Sequence, residues 1–164
     1  MELKKSFDYR KIFIFVYALA FLVYIIVGLQ PADASSQYKI TGKLIIPSIE
    51  LESDVAELEL LNNKLDTPDT IVGSYSNSDN NTLLIAHSTS AFIDLDRLNI
   101  GNLVIYNDNK YLVTDVSVFA KKDIQMRTVL QEEPVDTIKL MTCFGELYEG
   151  GDASHRLIVT AKIL

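Results

Sequence analysis

Three side chains in this chain have the types needed for nucleophilic acyl chemistry: Cys143, His87 and Arg156. Cys143 is the only cysteine, and His87 and His155 are the only histidines. A thiol is only a few per cent ionised at neutral pH but is intrinsically very nucleophilic. A nearby imidazolium or guanidinium favours the thiolate. An imidazole can also return a proton to a leaving amine, which contributes about 10²–10⁴ in rate. A guanidinium can hold substrate or stabilise the oxyanion of a tetrahedral intermediate. The reaction class these groups suit is acyl transfer through a thioester. Plainer readings stand beside this one. A lone cysteine by a strand is also a small buried hydrophobe, His87 a hydrogen-bonded loop residue, and Arg156 an exposed strand charge.

The elements that carry these residues decide whether they can meet. Thr82–His87 reads as a buried strand ending at His87, and Thr137–Thr142 as a strand ended by Cys143. Arg156 opens the last strand, after a connection of residues 144–155. If the last two strands pair as an antiparallel hairpin, Cys143 and Arg156 fall at the same end of neighbouring strands. Alternation then sends His155 to the face opposite Arg156. With Arg156 facing Cys143, the available base is His87.

The rest of the outer region also reads as short strands. Lys43–Pro47 is a first strand closed by proline. Val55–Leu60 alternates with period two and runs into Asn62-Asn63 and Lys64-Leu65, a hairpin pattern, with a short helix as the alternative. Leu103–Tyr106, Asn107-Asp108-Asn109 and Lys110–Val118 make the clearest hairpin. Helical turns are expected at 95–100 and at 126–130, the latter within a long connection, 119–136. Many short strands joined by turns indicate a closed barrel or sandwich.

Ile12–Leu29 holds 18 residues without a charge, about 27 Å as a helix, close to the ~30 Å hydrocarbon core. Lys4, Lys5, Arg10 and Lys11 precede it, and the next basic residue is Lys39. The positive-inside rule places residues 1–11 in the cytoplasm, 12–29 in the membrane as an anchor, 30–39 as a linker and the domain 40–164 outside. A cleaved signal segment, with Ala32-Asp33-Ala34 as the cleavage site, is the alternative. Exported proteins usually pair their cysteines, which makes an unpaired Cys143 more conspicuous. Beyond the apolar segment, 11 Lys and Arg stand against 20 Asp and Glu, a net −9. Nucleic acid binding is therefore not expected. One Cys and two His lack the close ligand pairs of a zinc site. No cofactor is expected, and a calcium requirement is left open, since stretches such as Ser78-Asp79-Asn80 read first as turns.

Leu140-Met141-Thr142-Cys143 resembles the strand end that carries the nucleophile in sortases. Leu83–Ser88 resembles their strand leading into the catalytic histidine, and Arg156–Ala161 their final strand with its arginine. Gly42–Pro47, Val72–Tyr75 and Phe92–Leu98 followed by Gly101 are similar to further segments of that family, in the same order. Lys139, where the family usually has Thr, and Ala86, where Gly is common, depart from the pattern. The resemblance implies an eight-stranded β-barrel of the compact, lid-less type seen in classes D and E. It further implies a cysteine transpeptidase that cleaves an LPxTG-like C-terminal sorting signal and passes the acyl group to an amine of a cell-wall precursor or a pilin-like lysine. On this reading Cys143 is the nucleophile, His87 the acid/base and Arg156 the substrate or oxyanion holder. Thr142 supports the oxyanion site, and 119–136 reads the signal. The alternatives are a catalytically inactive sortase-like module that binds peptides, and another wall cysteine enzyme such as an L,D-transpeptidase, whose usual context before the cysteine is absent here.

Overall fold

Strand β1 (Ile40–Ile46) turns at a 3₁₀ segment, Pro47–Ile49, into β2 (Leu51–Glu57), and the two pair antiparallel from Ile46↔Leu51. Proline at the first position of that turn fixes φ, and Glu50 closes it in the left-handed region. The structure, a computed structural model, describes residues 38–61, 64–78, 80–148 and 152–164. The basic arm, the apolar segment 12–29 and most of the linker lie outside the described residues. Among the described residues no helix is long and apolar enough to cross a membrane.

A small ribbon of β3 (Leu60–Leu61) and β4 (Lys64–Leu65) follows, then β5 (Val72–Ser78) and β6 (Asn81–Ile85). A 3₁₀ turn at Leu95–Arg97 precedes the hairpin of β7 (Leu103–Tyr106) and β8 (Asn109–Ala120). A 3₁₀ turn at Lys121–Asp123 and a helical turn α1 (Met126–Val129) lead to β9 (Thr137–Leu147) and β10 (Ala153–Ile163). The strands close a barrel in the order β1-β2-β5-β6-β9-β10-β8-β7. Two junctions are parallel, β2 with β5 and β6 with β9. Each therefore needs an excursion between its strands. The excursions are the β3–β4 ribbon and the long segments after β6 and β8.

The barrel interior is filled by inward-facing aliphatics, among them Leu44, Val55, Leu84, Leu140 and Val159, all fully buried, with Phe92 capping one end. A smaller cluster of Leu58, Leu83, Ile85, Val129 and Ile158 packs on the outer face of β6, β9 and β10. Closure of β1 on β7 rests on two residue pairs, Leu44↔Tyr106 and Ile45↔Ile105. The Asn107 side chain extends it by accepting from the Lys43 amide at 3.0 Å. A Cβ at Gly42 would lie 1.9 Å from Asn107 Oδ1, so only glycine lets this side chain in. Asn107 and Asp108 both have positive φ, the geometry of a tight two-residue hairpin turn.

Two sequence expectations are corrected, and one strand had not been anticipated. Val55–Leu60 is not the first arm of a hairpin: β2 pairs with β1 and β5, and only the short ribbon is a hairpin, its Asn62-Asn63 tip lying outside the described residues. Strand β5 was not expected, because Gly73, Ser74 and Ser76 have weak strand preference. It forms because β2 and β6 supply ladder partners on both sides. Finally, β9 continues past Cys143 to Leu147, and β10 begins at Ala153, before Arg156. Phe144–Tyr148 are exposed, so this stalk has no buried face and leaves no alternation to read, although its backbone stays paired as far as Ala153↔Leu147.

Candidate active site

Cys143 lies opposite Arg156 in the β9–β10 ladder. Directly paired residues project from the same face of a sheet. On that outer face β9 shows Lys139, Met141 and Cys143, and β10 shows Ile158 and Arg156. On the other side of β9, the parallel ladder sets Leu83 beside Lys139 and Ile85 beside Met141. The same alternation carried two residues on brings His87 to the level of Cys143. Each of the three residues thus continues an outer-face stripe on one of three neighbouring strands, with Cys143 in the middle. His155 pairs with Phe144, faces the other way, and bonds Ser154 Oγ through Nδ1 at 2.7 Å.

The three meet on one groove of about 580 Å³, whose other walls include Leu60, Leu65, Met126, Leu130 and Met141. His87 and Cys143 are both half-buried, and Cys143 is a free thiol. His87 is set by the turn that follows it, since the Ser90 and Phe92 amides both donate to its carbonyl, at 3.2 and 3.3 Å. The groove is mostly apolar with a few polar groups among its walls, the usual make-up of a ligand site.

Thr142 points to the opposite face. Its buried hydroxyl donates to the Ala86 carbonyl at 2.8 Å, tying β9 to the residue before His87. That hydroxyl is thereby engaged with the backbone beside His87. The Arg156 guanidinium is held in turn: Nη1 donates to the carbonyls of His155 and Ala153 at 2.9 and 3.2 Å, and Nη2 to Asp152 Oδ1 at 2.8 Å. Asp152 also pairs with Lys121. The two cations hold the Asp152 carboxyl well below the usual carboxylate range, the Lys121 bond being the larger cause. Asp152 was not singled out in the sequence. Its one signal is its place four residues before Arg156.

Because the folded-state pKa of Asp152 is depressed, its pairing contributes fully above the unfolded carboxylate value of about 3.9 and is lost as pH falls below it. Arg156 should therefore keep its orientation throughout the range pH 5–8. Asp152→Asn, which leaves Arg156 its carbonyl acceptors, is expected to lower kcat/KM roughly three- to ten-fold, with the pH profile between 5 and 8 unchanged in shape.

The wall made by the 121–136 connection is fastened from below. Lys139 is buried and its Nζ donates to the Val129 carbonyl at 2.9 Å and pairs with Glu133 at 2.7 Å. Asn81 Nδ2 donates to the carbonyls of Val129 and Gln131 at 2.9 and 2.6 Å. The lysine that departs from the family pattern is thus a buried tether for the groove wall. Removing one partner of a buried charged hydrogen bond costs about 1.5–3 kcal/mol. Lys139→Ala is expected to lose about 2 kcal/mol of stability by denaturant titration and to raise the peptide KM more than it lowers kcat. Among the described residues no three His, Cys, Asp or Glu gather as a metal site.

A closed eight-stranded barrel with a cysteine, a histidine and an arginine facing one groove from adjacent strands defines a class of β-barrel with an acyl-transfer-type site. The family model for the sortase domain matches residues 44–164, and the chain belongs to the sortase family, whose members are generally cysteine transpeptidases. A comparison with curated proteins gave no match. Among solved structures, sortase A from Corynebacterium diphtheriae is 19% identical with a TM-score of 0.57, over 77% of this chain and 61% of that one. The chain thus spans about three fifths of that protein. Sortase C-1 from Actinomyces oris is 22% identical with a TM-score of 0.58, covering 82% of each chain. Sortase E1 from Streptomyces coelicolor, solved with a tripeptide in its active site, is 18% identical with a TM-score of 0.59, over 77% and 88%. At these identities the likeness is one of fold. Sortases of several classes match about equally well, so the fold does not single out classes D and E.

Proposed function

We propose that this chain is a membrane-anchored cysteine transpeptidase whose catalytic domain, 40–164, works outside the cytoplasm. Its acyl donor is a protein with an LPxTG-like C-terminal sorting signal, and its acceptor is an amine of a cell-wall precursor or surface protein. The observation that carries the reading is the Cys143↔Arg156 pair with His87 just beyond the end of the other flanking strand, all lining one apolar groove.

The sorting peptide lies in the groove, its apolar side chains against Leu60, Leu65 and Met126. Cys143 Sγ attacks the scissile carbonyl as thiolate, and the Arg156 guanidinium holds the oxyanion. Protonated His87 gives its proton to the leaving amine as the C–N bond breaks, and the thioester remains on Cys143. In the second half, an amine attacks the thioester carbon and passes a proton to His87. The C–S bond breaks, and the thiolate is restored. Such chemistry is ping-pong. The test is to incubate the full chain, in detergent micelles, with an LPxTG-like peptide and a primary amine. The reading expects a released fragment beginning at Gly and a new amide on the Thr carboxyl. Intact peptide across a panel of sorting-type sequences, with the protein folded, would count against it.

A further inference from the structure

Asp152 stands between two cations. Its Oδ1 accepts from Arg156 Nη2 at 2.8 Å and from the Ala153 amide at 2.9 Å, and its Oδ2 accepts from Lys121 Nζ. Arg156 is a strand residue beside Cys143. Lys121 is the first residue of the connection 121–136, whose Met126 and Leu130 wall the groove. The ladder brings the two together. Phe119 pairs with Arg156 and Ala120 with His155, so Lys121 leaves β8 just past the rung that joins it to the start of β10.

We propose that Lys121 is a positioning residue for the transfer reaction: by occupying one oxygen of Asp152 it limits that carboxylate to a single-point hold on Arg156, leaving the guanidinium the donors the reaction needs. The inference rests on the transpeptidase reading above, in which Arg156 holds the oxyanion. A guanidinium carries five N–H donors. Three are engaged, two from Nη1 with the carbonyls of His155 and Ala153 and one from Nη2 with Asp152. Nε–H and the second Nη2–H are left for substrate. A carboxylate with both oxygens free takes a guanidinium in two parallel bonds. Without Lys121, Asp152 turns Oδ2 onto Arg156 as well and takes one of the two donors that remain.

The environments of the two cations differ. The Lys121 and Asp152 side chains are 51% and 42% exposed, so their pair adds little to stability. The Arg156 side chain is only 17% exposed. Its direction is therefore set by the few acceptors around it, and Asp152 is the one charged acceptor among them. A change at the exposed end of this chain of contacts is thus read at the sheltered end, as a turn of the guanidinium. Lys122, the next residue, is also exposed but has no ion pair among the described residues. Because Lys121 opens the groove wall, the same carboxylate ties the start of that wall to Arg156.

The test is single-turnover acylation of the full chain in detergent by an LPxTG-like peptide, over a concentration series that separates the limiting rate from the half-saturating concentration. Rate constants rather than amplitudes are compared, so unfolded protein cancels. Lys121→Met is expected to lower the limiting rate roughly five-fold, the upper range for an exposed ion pair. The half-saturating concentration should stay within about two-fold, since the group affected acts in the transition state. Lys121→Arg, which restores a cation, is expected to recover the rate, and Lys122→Met to leave it unchanged. The deciding arm is the Asp152→Asn background, where the amide has a single acceptor oxygen and no second one to release. There Lys121→Met should change the rate less than about two-fold, because the two residues act as one unit. Losses that multiply in the double variant, a Lys121→Met effect confined to the half-saturating concentration, or no effect at all overturn the assignment of Lys121 while leaving the transpeptidase reading intact. Failure of the unsubstituted chain to form any thioacyl adduct overturns that reading and this inference with it.

Discussion

Cys143→Ala is expected to abolish peptide cleavage and transfer, lowering kcat/KM by about 10⁴–10⁶, the range seen when a covalent nucleophile is removed. Nothing in the groove replaces it. Among the described residues Cys143 is the one thiol, and the groove's other side chains are apolar apart from His87, Arg156 and two threonines, one of which, Thr142, is committed to Ala86. The fold should hardly notice. Cys143 is half-buried and has no disulfide, so loss of one sulfur atom should leave the denaturation midpoint within about 0.5 kcal/mol of the parent, as for surface substitutions. Activity and stability therefore separate cleanly. A variant retaining more than a few per cent of the parent rate would place the chemistry elsewhere.

His87→Ala is the second large effect, a loss of about 10²–10⁴ in kcat, the usual contribution of a positioned acid/base. On the proposed mechanism it acts on both half-reactions, the same imidazole protonating the leaving amine and deprotonating the incoming one. A small added base such as imidazole should restore part of the second half-reaction, provided the space left beside Cys143 is open to it. His155→Ala supplies the contrast. His155 faces away from Cys143, pairs with Phe144 and bonds Ser154, so its substitution should leave kcat within about two-fold. Equal losses in the two histidine variants would contradict the assignment of His87. The measurement is single-turnover acylation followed by aminolysis of the isolated adduct.

The run of short strands and the placing of Cys143 beside Arg156 were largely legible because they rest on alternation, which left barrel and sandwich open, whereas the closed eight-stranded barrel was implied by the family resemblance. Leu83 and Ile85 lead to His87, and Met141 leads to Cys143, by the two-residue repeat of a strand with one face toward a core. The β7–β8 hairpin was legible through Asn107-Asp108, whose positive φ values suit those residue types. Elements without a local signal were not legible. Strand β5 is set by its neighbours, since Gly73 and the serines around it carry no strand preference. The stalk beyond Cys143 is solvated on both faces and shows no periodicity. The residues that hold the site in place were missed for a similar reason. Asn81 reaches Val129 and Gln131 by hydrogen bonds between segments distant in the chain, and Asp152 reaches Arg156 from four residues away, just before β10 and outside any periodic pattern. Lys139 stood out in the sequence only as a departure from the family pattern. A lysine amid Ile138, Leu140 and Met141 needs a buried partner, but the chain alone did not say that Glu133 and the Val129 carbonyl would be it.

The central claim is that Cys143 carries the acyl group of a sorting-type peptide as a thioester. Intact-protein mass spectrometry of the full chain, acid-quenched after seconds with a small library of LPxTG-like peptides, tests this most directly. The account predicts one added mass equal to the peptide's acyl portion, located on Cys143 by digestion, removed by hydroxylamine and absent in Cys143→Ala. No added mass with any peptide while the protein is folded, or an adduct that persists in Cys143→Ala, would contradict it.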